Sequence, residues 1–247
     1  MNHTISTAEQ TTQQSQLIIP EHFAYDHSWT ASLPDAVFDY FNITPEHRSA
    51  LRALHIGAGS TWLSDAMPDE LVIAYPYIQD NRVINVRYDW CIPQDSWEEN
   101  HPDPIRYEYT PSAHLFGLHT AQKDAPVFIT LGEEDALAVR AAGYRSVLAI
   151  PSHVIHIPER SIQHFITQLL RNAPVLQHTD RVILAFDGGL NHGKIPLRPL
   201  FANAIGAESC WTFTFPEHIL SLLHIQEIYG WDYLTRLLSI VNNYHNV

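Results

Sequence analysis

The first clear pattern in the chain lies at 34–41, Pro34-Asp35-Ala36-Val37-Phe38-Asp39-Tyr40-Phe41, where apolar residues recur at helical spacing. Thr44-Pro45 then supplies an N-cap threonine and a proline at the first helical position, which predicts a second short helix through Leu54. From Glu70 the period changes. Residues 71–78 and 82–88 are runs of β-branched and aromatic side chains flanking Gln79-Asp80-Asn81, the pattern of an antiparallel hairpin. The polar, acidic stretch 89–111 predicts a loop with one short strand at 107–109. After Pro126 short apolar strands alternate with helices: strands at 127–131, 146–150, 181–186 and 211–215, helices at 133–142, 160–171 and 197–205. This alternation implies a parallel sheet covered on both faces. The last segments, 217–223 and 230–244, are expected to be helical, whereas 1–18, rich in Thr, Gln and Ser, predicts a tail with little to pack.

The fold class expected is therefore α/β. A small α+β subdomain containing the hairpin occupies 19–122, a central parallel four-stranded sheet flanked by helices 123–215, and C-terminal helices 216–247. With 247 residues and 45% hydrophobic side chains, the chain can bury one sizeable core. Its apolar runs are too short for a bilayer span, so the expectation is a cytoplasmic protein with no membrane contact. Cys91 and Cys210 are far apart and in no C-x-x-C arrangement, which predicts buried free thiols.

The net charge of -13 is unevenly placed: residues 1–126 carry 17 acidic and 6 basic side chains, residues 127–215 carry 7 of each. A phosphate-gripping surface normally has the opposite balance.

In an open parallel sheet the ligand site lies beyond the carboxyl ends of the strands. Two such ends are Leu131-Gly132-Glu133-Glu134-Asp135-Ala136-Leu137 and Phe186-Asp187-Gly188-Gly189. With Ala142-Gly143-Tyr144, Ala149-Ile150-Pro151-Ser152, the hairpin and Leu115-Phe116-Gly117 upstream, and His224-Ile225-Gln226-Glu227-Ile228 downstream, their order resembles the Toprim domain and preceding subdomain of phage-type primase-helicases and related primases. The resemblance spans about residues 34–240 and implies the primase-core fold.

What it implies about chemistry is set by the departures. In such primases a glutamate ending the first strand, two aspartates of a D-x-D and a downstream aspartate surround divalent ions that activate the 3′-hydroxyl and steady the triphosphate. The matching positions here are Leu131, Asp187, Gly189 and His224, so Asp187 alone keeps its carboxylate. Leucine and glycine offer no hard oxygen to magnesium, and histidine suits other metals. A reduced site holding Mg2+ or Mn2+ would draw on Glu133, Asp135 and Asp187; the bland reading of Glu133, Glu134 and Asp135 is an acidic first turn that favours the helix dipole. Arg82 and Arg87 lie on the hairpin, where the resemblance implies template and nucleotide contacts, and are the candidate nucleic-acid-binding residues.

Two weaker signals remain. Gly188 to Ile195 fits the first seven positions of a phosphate-binding G-x-x-x-x-G-K-(S/T) loop, but Ile195 replaces the metal-ligating hydroxyl. Among 16 histidines, His153 and His156 have a spacing that could hold a metal, with no carboxylate or thiol beside them in the chain.

The reading favoured by these residues is a catalytically degenerate primase-like protein of a phage or mobile element, with no cofactor assigned unless the site is active and holds Mg2+ or Mn2+, that binds single-stranded DNA or a replication or recombination protein. One alternative is an active metal-dependent primase or nuclease. The other is an acidic interaction module that meets a basic protein partner through its N-terminal half, including Glu98 and Glu99.

Overall fold

The structure is a computed structural model and describes residues 17–31, 33–60, 71–91, 105–110, 113–186, 191–192 and 195–243. In chain order its elements are α1 (Ser28–Ala31), α2 (Asp35–Tyr40), α3 (Arg48–Ala53), β1 (Gly57–Ser60), β2 (Leu71–Gln79), β3 (Arg82–Trp90), β4 (Ile105–Tyr107), β5 (Val127–Leu131), α4 (Glu133–Ala141), β6 (Val147–Ile150), α5 (Glu159–Arg171), β7 (Val182–Leu184), β8 (Asn191–His192), β9 (Ile195–Pro196), α6 (Leu197–Ile205), β10 (Cys210–Thr212), α7 (Leu222–Tyr229), α8 (Trp231–Ser239) and β11 (Asn242–Asn243).

Among the described residues one sheet is antiparallel in the order β1-β2-β3-β4, and a second has the order β11-β10-β7-β5-β6. In the second sheet β10, β7, β5 and β6 are parallel, as the alternating pattern predicts. Side-chain alternation divides this sheet cleanly. Val127, Ile129, Leu148, Ile150, Val182 and Leu184 face a core closed by α5 and α6. Phe128, Val147, Ala149 and Ile183 face the other way, into a core that also holds Ile73, Tyr75 and Tyr77 of the antiparallel sheet. That period-two split is what buries both faces of a parallel sheet.

The hairpin β2–β3 turns through Asp80 and Asn81, with φ of +48° and +60°, the left-handed pair that a two-residue turn requires. The outer face of the hairpin packs Val72, Val86, Tyr88 and Trp90 against Phe23, Tyr25 and Trp29. Beneath Trp29 runs β1, which its glycines would mark as loop; a side chain at Gly59 would run into the Trp29 indole carbons Cε2, Cδ2 and Cζ2. The bulk of the indole thus decides the sequence of this edge strand.

Other segments differ from the sequence expectation. Helix α7 begins at Leu222 rather than Glu217, because His218 takes a φ of +65° and Ser221 supplies the N-cap. After α8 the chain stops being helical and Asn242–Asn243 adds an antiparallel edge strand to β10. Only the short 3-10 turn Pro45–His47 precedes α3, where one continuous helix was expected. The tail expected at 1–18 lies outside the described residues up to 16, and Ile18 pairs with Arg82. Cys210 is buried and Cys91 half-buried, both free. No helix of the described residues is long and apolar enough to cross a membrane.

Gly117 of the Leu115-Phe116-Gly117 turn has a φ of +76°, and a Cβ there would meet the Val147 carbonyl oxygen at 2.5 Å. Backbone cannot move aside as a side chain does. Gly117→Ala is expected to destabilise the protein by about 1–3 kcal/mol, read from urea unfolding.

Candidate functional site

The parallel sheet presents the carboxyl end of β5 to the hairpin. Gly132, with φ of +88°, turns the chain from β5 into α4, so that Glu133, Glu134 and Asp135 form the first helical turn. On the facing hairpin, Tyr77 of β2 and Arg87 and Asp89 of β3 lie on the inner face, Arg87 directly opposite Tyr75. The two elements meet through charge.

Arg87 is 3% exposed and sits between three carboxylates. Its Nη1 donates to Glu133 Oε2 at 2.7 Å and lies 2.9 Å from Glu134 Oε1, and its Nη2 donates to Asp89 Oδ2 at 2.7 Å. The guanidinium also lies over the Tyr75 ring, 4.8 Å from its centroid. Burial alone would lower the Arg87 pKa, but Glu134 and Glu133 hold the guanidinium firmly protonated. Burial pushes the Asp89 carboxyl up to about 7 despite the adjacent arginine.

Glu133 is fully buried. Its Oε1 accepts a hydrogen bond from the Tyr77 hydroxyl, and its Oε2 accepts from Arg87 and, at 3.4 Å, from the Ser152 backbone N–H. Asp135 is buried too, and its Oδ1 accepts from the Ser221 hydroxyl at 2.8 Å and the Leu223 N–H at 3.1 Å, tying α4 to the start of α7. Burial pushes the Asp135 carboxyl up to about 7.

Among the described residues, the side chains at this strand end do not suit a divalent ion of the kind primases hold. Both Glu133 oxygens are taken by protein donors, the cation among the carboxylates is Arg87, Asp135 serves as a helix cap, and Leu131 ends β5 with no oxygen. Among the described residues no group of three His, Cys, Asp or Glu side chains is placed to hold a metal.

Glu133 and Asp135, expected as candidate metal ligands, thus turn out to join elements. Arg87, expected at the surface for nucleic acid, is turned inward because three carboxylates surround it. Arg82 is exposed at the first position of β3. Five residues of extended strand, roughly 16 Å, separate it from Arg87, so the two do not form one patch. Asp187, Gly188 and Gly189 lie outside the described residues, as do Glu98 and Glu99. His224 is exposed in the first turn of α7. In the glycine-rich segment that follows β7, Asn191–His192 pairs with Ile195–Pro196 as short antiparallel strands, not as a loop entering a helix directly. His153 sits 3.4 Å from the Tyr107 hydroxyl, and burial pushes its ring down to about 4.

Sequence reasoning missed Tyr77 and Asp89. The signal was there for Asp89, which shares a strand face with Arg87 at a spacing of two; Tyr77 could be placed only with the hairpin register in hand.

The fold is that of the RNA polymerase core of DNA primases. The primase fragment of the bacteriophage T7 primase-helicase protein superposes with a TM-score of 0.56 at 14% identity, covering 77% of this chain and 70% of that one. Among curated proteins of Arabidopsis thaliana, the chain is 24% identical over 191 residues to the chloroplastic/mitochondrial Twinkle homolog protein, covering 75% of this chain. It is likewise 24% identical over 155 residues to the Primase homolog protein, covering 60% of this chain. The chain spans 24% and 42% of the length of these two relatives. No family model matches it.

Proposed function

We propose that this chain is a catalytically degenerate, Toprim-type primase-like protein of DNA replication, a phage or mobile-element product acting in the cytoplasm, that keeps the fold for binding rather than for primer synthesis. The observation that carries this reading is the Arg87–Glu133 pair. A buried guanidinium holds the carboxylate that opens α4, in a chain whose β5 ends on Leu131. A tethered cation at 2.7 Å competes with any divalent ion for the same oxygens. The fold shared with primases and the two curated relatives support a place in replication. The partners that fit are single-stranded DNA, for which exposed Arg82 is the proposed contact, or a replication or recombination protein.

Calorimetric titration of the wild type with magnesium and manganese is the test, and no saturable binding is expected. Saturable binding abolished by Asp187→Ala, followed by magnesium-dependent nucleotide incorporation, would overturn the reading and restore a primase or nuclease with a reduced carboxylate set.

A further inference from the structure

Exposed large apolar side chains are few among the described residues, and two of them rim one cavity. Ile155, 57% exposed in the turn after β6, and Leu220, 55% exposed just before α7, stand with Leu131 around a hollow of about 270 Å3. This hollow opens at the carboxyl ends of β5 and β6, where the first turn of α4 adds Glu134 and Asp135 to its wall. Isolated exposed apolar residues are ordinary; their convergence on a concave site beside charge is not.

We infer that this hollow is a docking site for a protein partner that presents an aliphatic or aromatic anchor side chain flanked by lysine or arginine. The inference rests on the degenerate-site reading and names the kind of partner that site would take. Three features select this occupant. The volume lies just below the usual 300–1,000 Å3 of small-ligand pockets and suits an anchor side chain better than a nucleotide. The apolar centre is made by Leu131, Ile155 and Leu220, the arrangement that carries affinity at interfaces through a buried anchor.

Among the described residues the charged side chains on its wall are both acidic, Glu134 and Asp135, which argues against a phosphate backbone. Behind that wall Asp89, Glu133 and Glu134 share the guanidinium of Arg87, and that cation is itself buried. Glu134 on the wall of the hollow, with the excess of carboxylates over Arg87 behind it, attracts a basic segment and repels a nucleic acid. Leu131 then has a role that a carboxylate could not fill: it supplies the floor for an apolar anchor.

Short random peptides displayed on phage are selected on the full chain and counter-selected on Leu220→Ser. Both Leu220 and Ile155 are exposed, so serine at either position should leave the fold intact, checked by the unchanged melting temperature of each variant. Enriched peptides are expected to carry net positive charge and at least one Leu, Ile, Met, Phe or Trp. A synthetic peptide of that consensus should bind about tenfold more weakly to Leu220→Ser and to Ile155→Ser, and more weakly still as salt is raised. Failure to enrich, enrichment of acidic peptides, or equal affinity for wild type and serine variants would overturn the inference. So would displacement of the peptide by a labelled oligothymidylate at equimolar concentration, which would make single-stranded DNA the occupant. Magnesium-dependent incorporation by the wild type is a separate outcome: it strikes the proposed loss of catalysis, whereas the peptide affinities strike the docking site.

Discussion

Arg87→Met is expected to be the most destabilising single substitution at this site, lowering the unfolding free energy by about 3–5 kcal/mol in guanidinium denaturation, the cost of breaking a buried ion pair from one side. Methionine keeps much of the volume of the arginine stem but leaves Glu133 buried with only the Tyr77 hydroxyl and the Ser152 N–H as donors, and Asp89 with no counter-charge. The second half of the cycle identifies the cause. Glu133→Gln on the Arg87→Met background removes the stranded charge while keeping an acceptor for Tyr77, so the double variant should regain a substantial part of the loss. Equal and additive losses from the two substitutions would show that Arg87 contributes packing over Tyr75 rather than charge.

A second large effect is expected in the pH dependence. The folded-state pKa of Asp135 is raised to about 7 by burial, well above the ordinary aspartate value of 3.8. A raised carboxyl means that the folded state binds more protons than the unfolded state between these two values. Stability therefore falls as pH rises through this window, with a slope of up to about 1.4 kcal/mol per pH unit from this residue, and levels off above pH 7. Asp89, also raised to about 7, contributes in the same direction. Asp135→Asn keeps an oxygen to accept from Ser221 and Leu223 but carries no charge to bury. Relative to wild type it should be more stable at pH 8 than at pH 4, with a shallower decline between them, read from urea unfolding across the range. A constant offset between the two proteins at every pH would contradict the raised pKa.

The alternation of short apolar strands with helices after Pro126 was sufficient to read the parallel sheet, because a sheet buried on both faces needs continuous apolar runs. The hairpin was equally legible, since Asp80-Asn81 is turn chemistry between β-branched runs. What local pattern could not show were features decided by distant residues. Gly57 to Ser60 becomes a strand because Trp29 covers it, and Asn242–Asn243 because β10 has an open edge. The same holds for the site. That Glu133 and Asp135 sit at the end of β5 follows from the motif; that one holds Arg87 and the other caps α7 depends on hairpin register and on a helix 86 residues further along. From the sequence Arg87 is a candidate nucleic-acid contact on the hairpin, and only the position of α4 shows which way its face looks.

The hydrophobic interior shared by the two sheets has a consequence for how the chain can be divided. Phe116 touches both Tyr75 and Tyr77 of β2 while its backbone exchanges hydrogen bonds with Ala149 of β6, and the same buried cluster continues to Leu222, Leu234 and Leu238 of the closing helices. A cut near residue 122 would leave each fragment with half of an oily seam and no lid for it. The hairpin and the parallel sheet are therefore not modules to be exchanged one at a time; a recombinant that borrows either from another protein must bring the matching side of the seam with it.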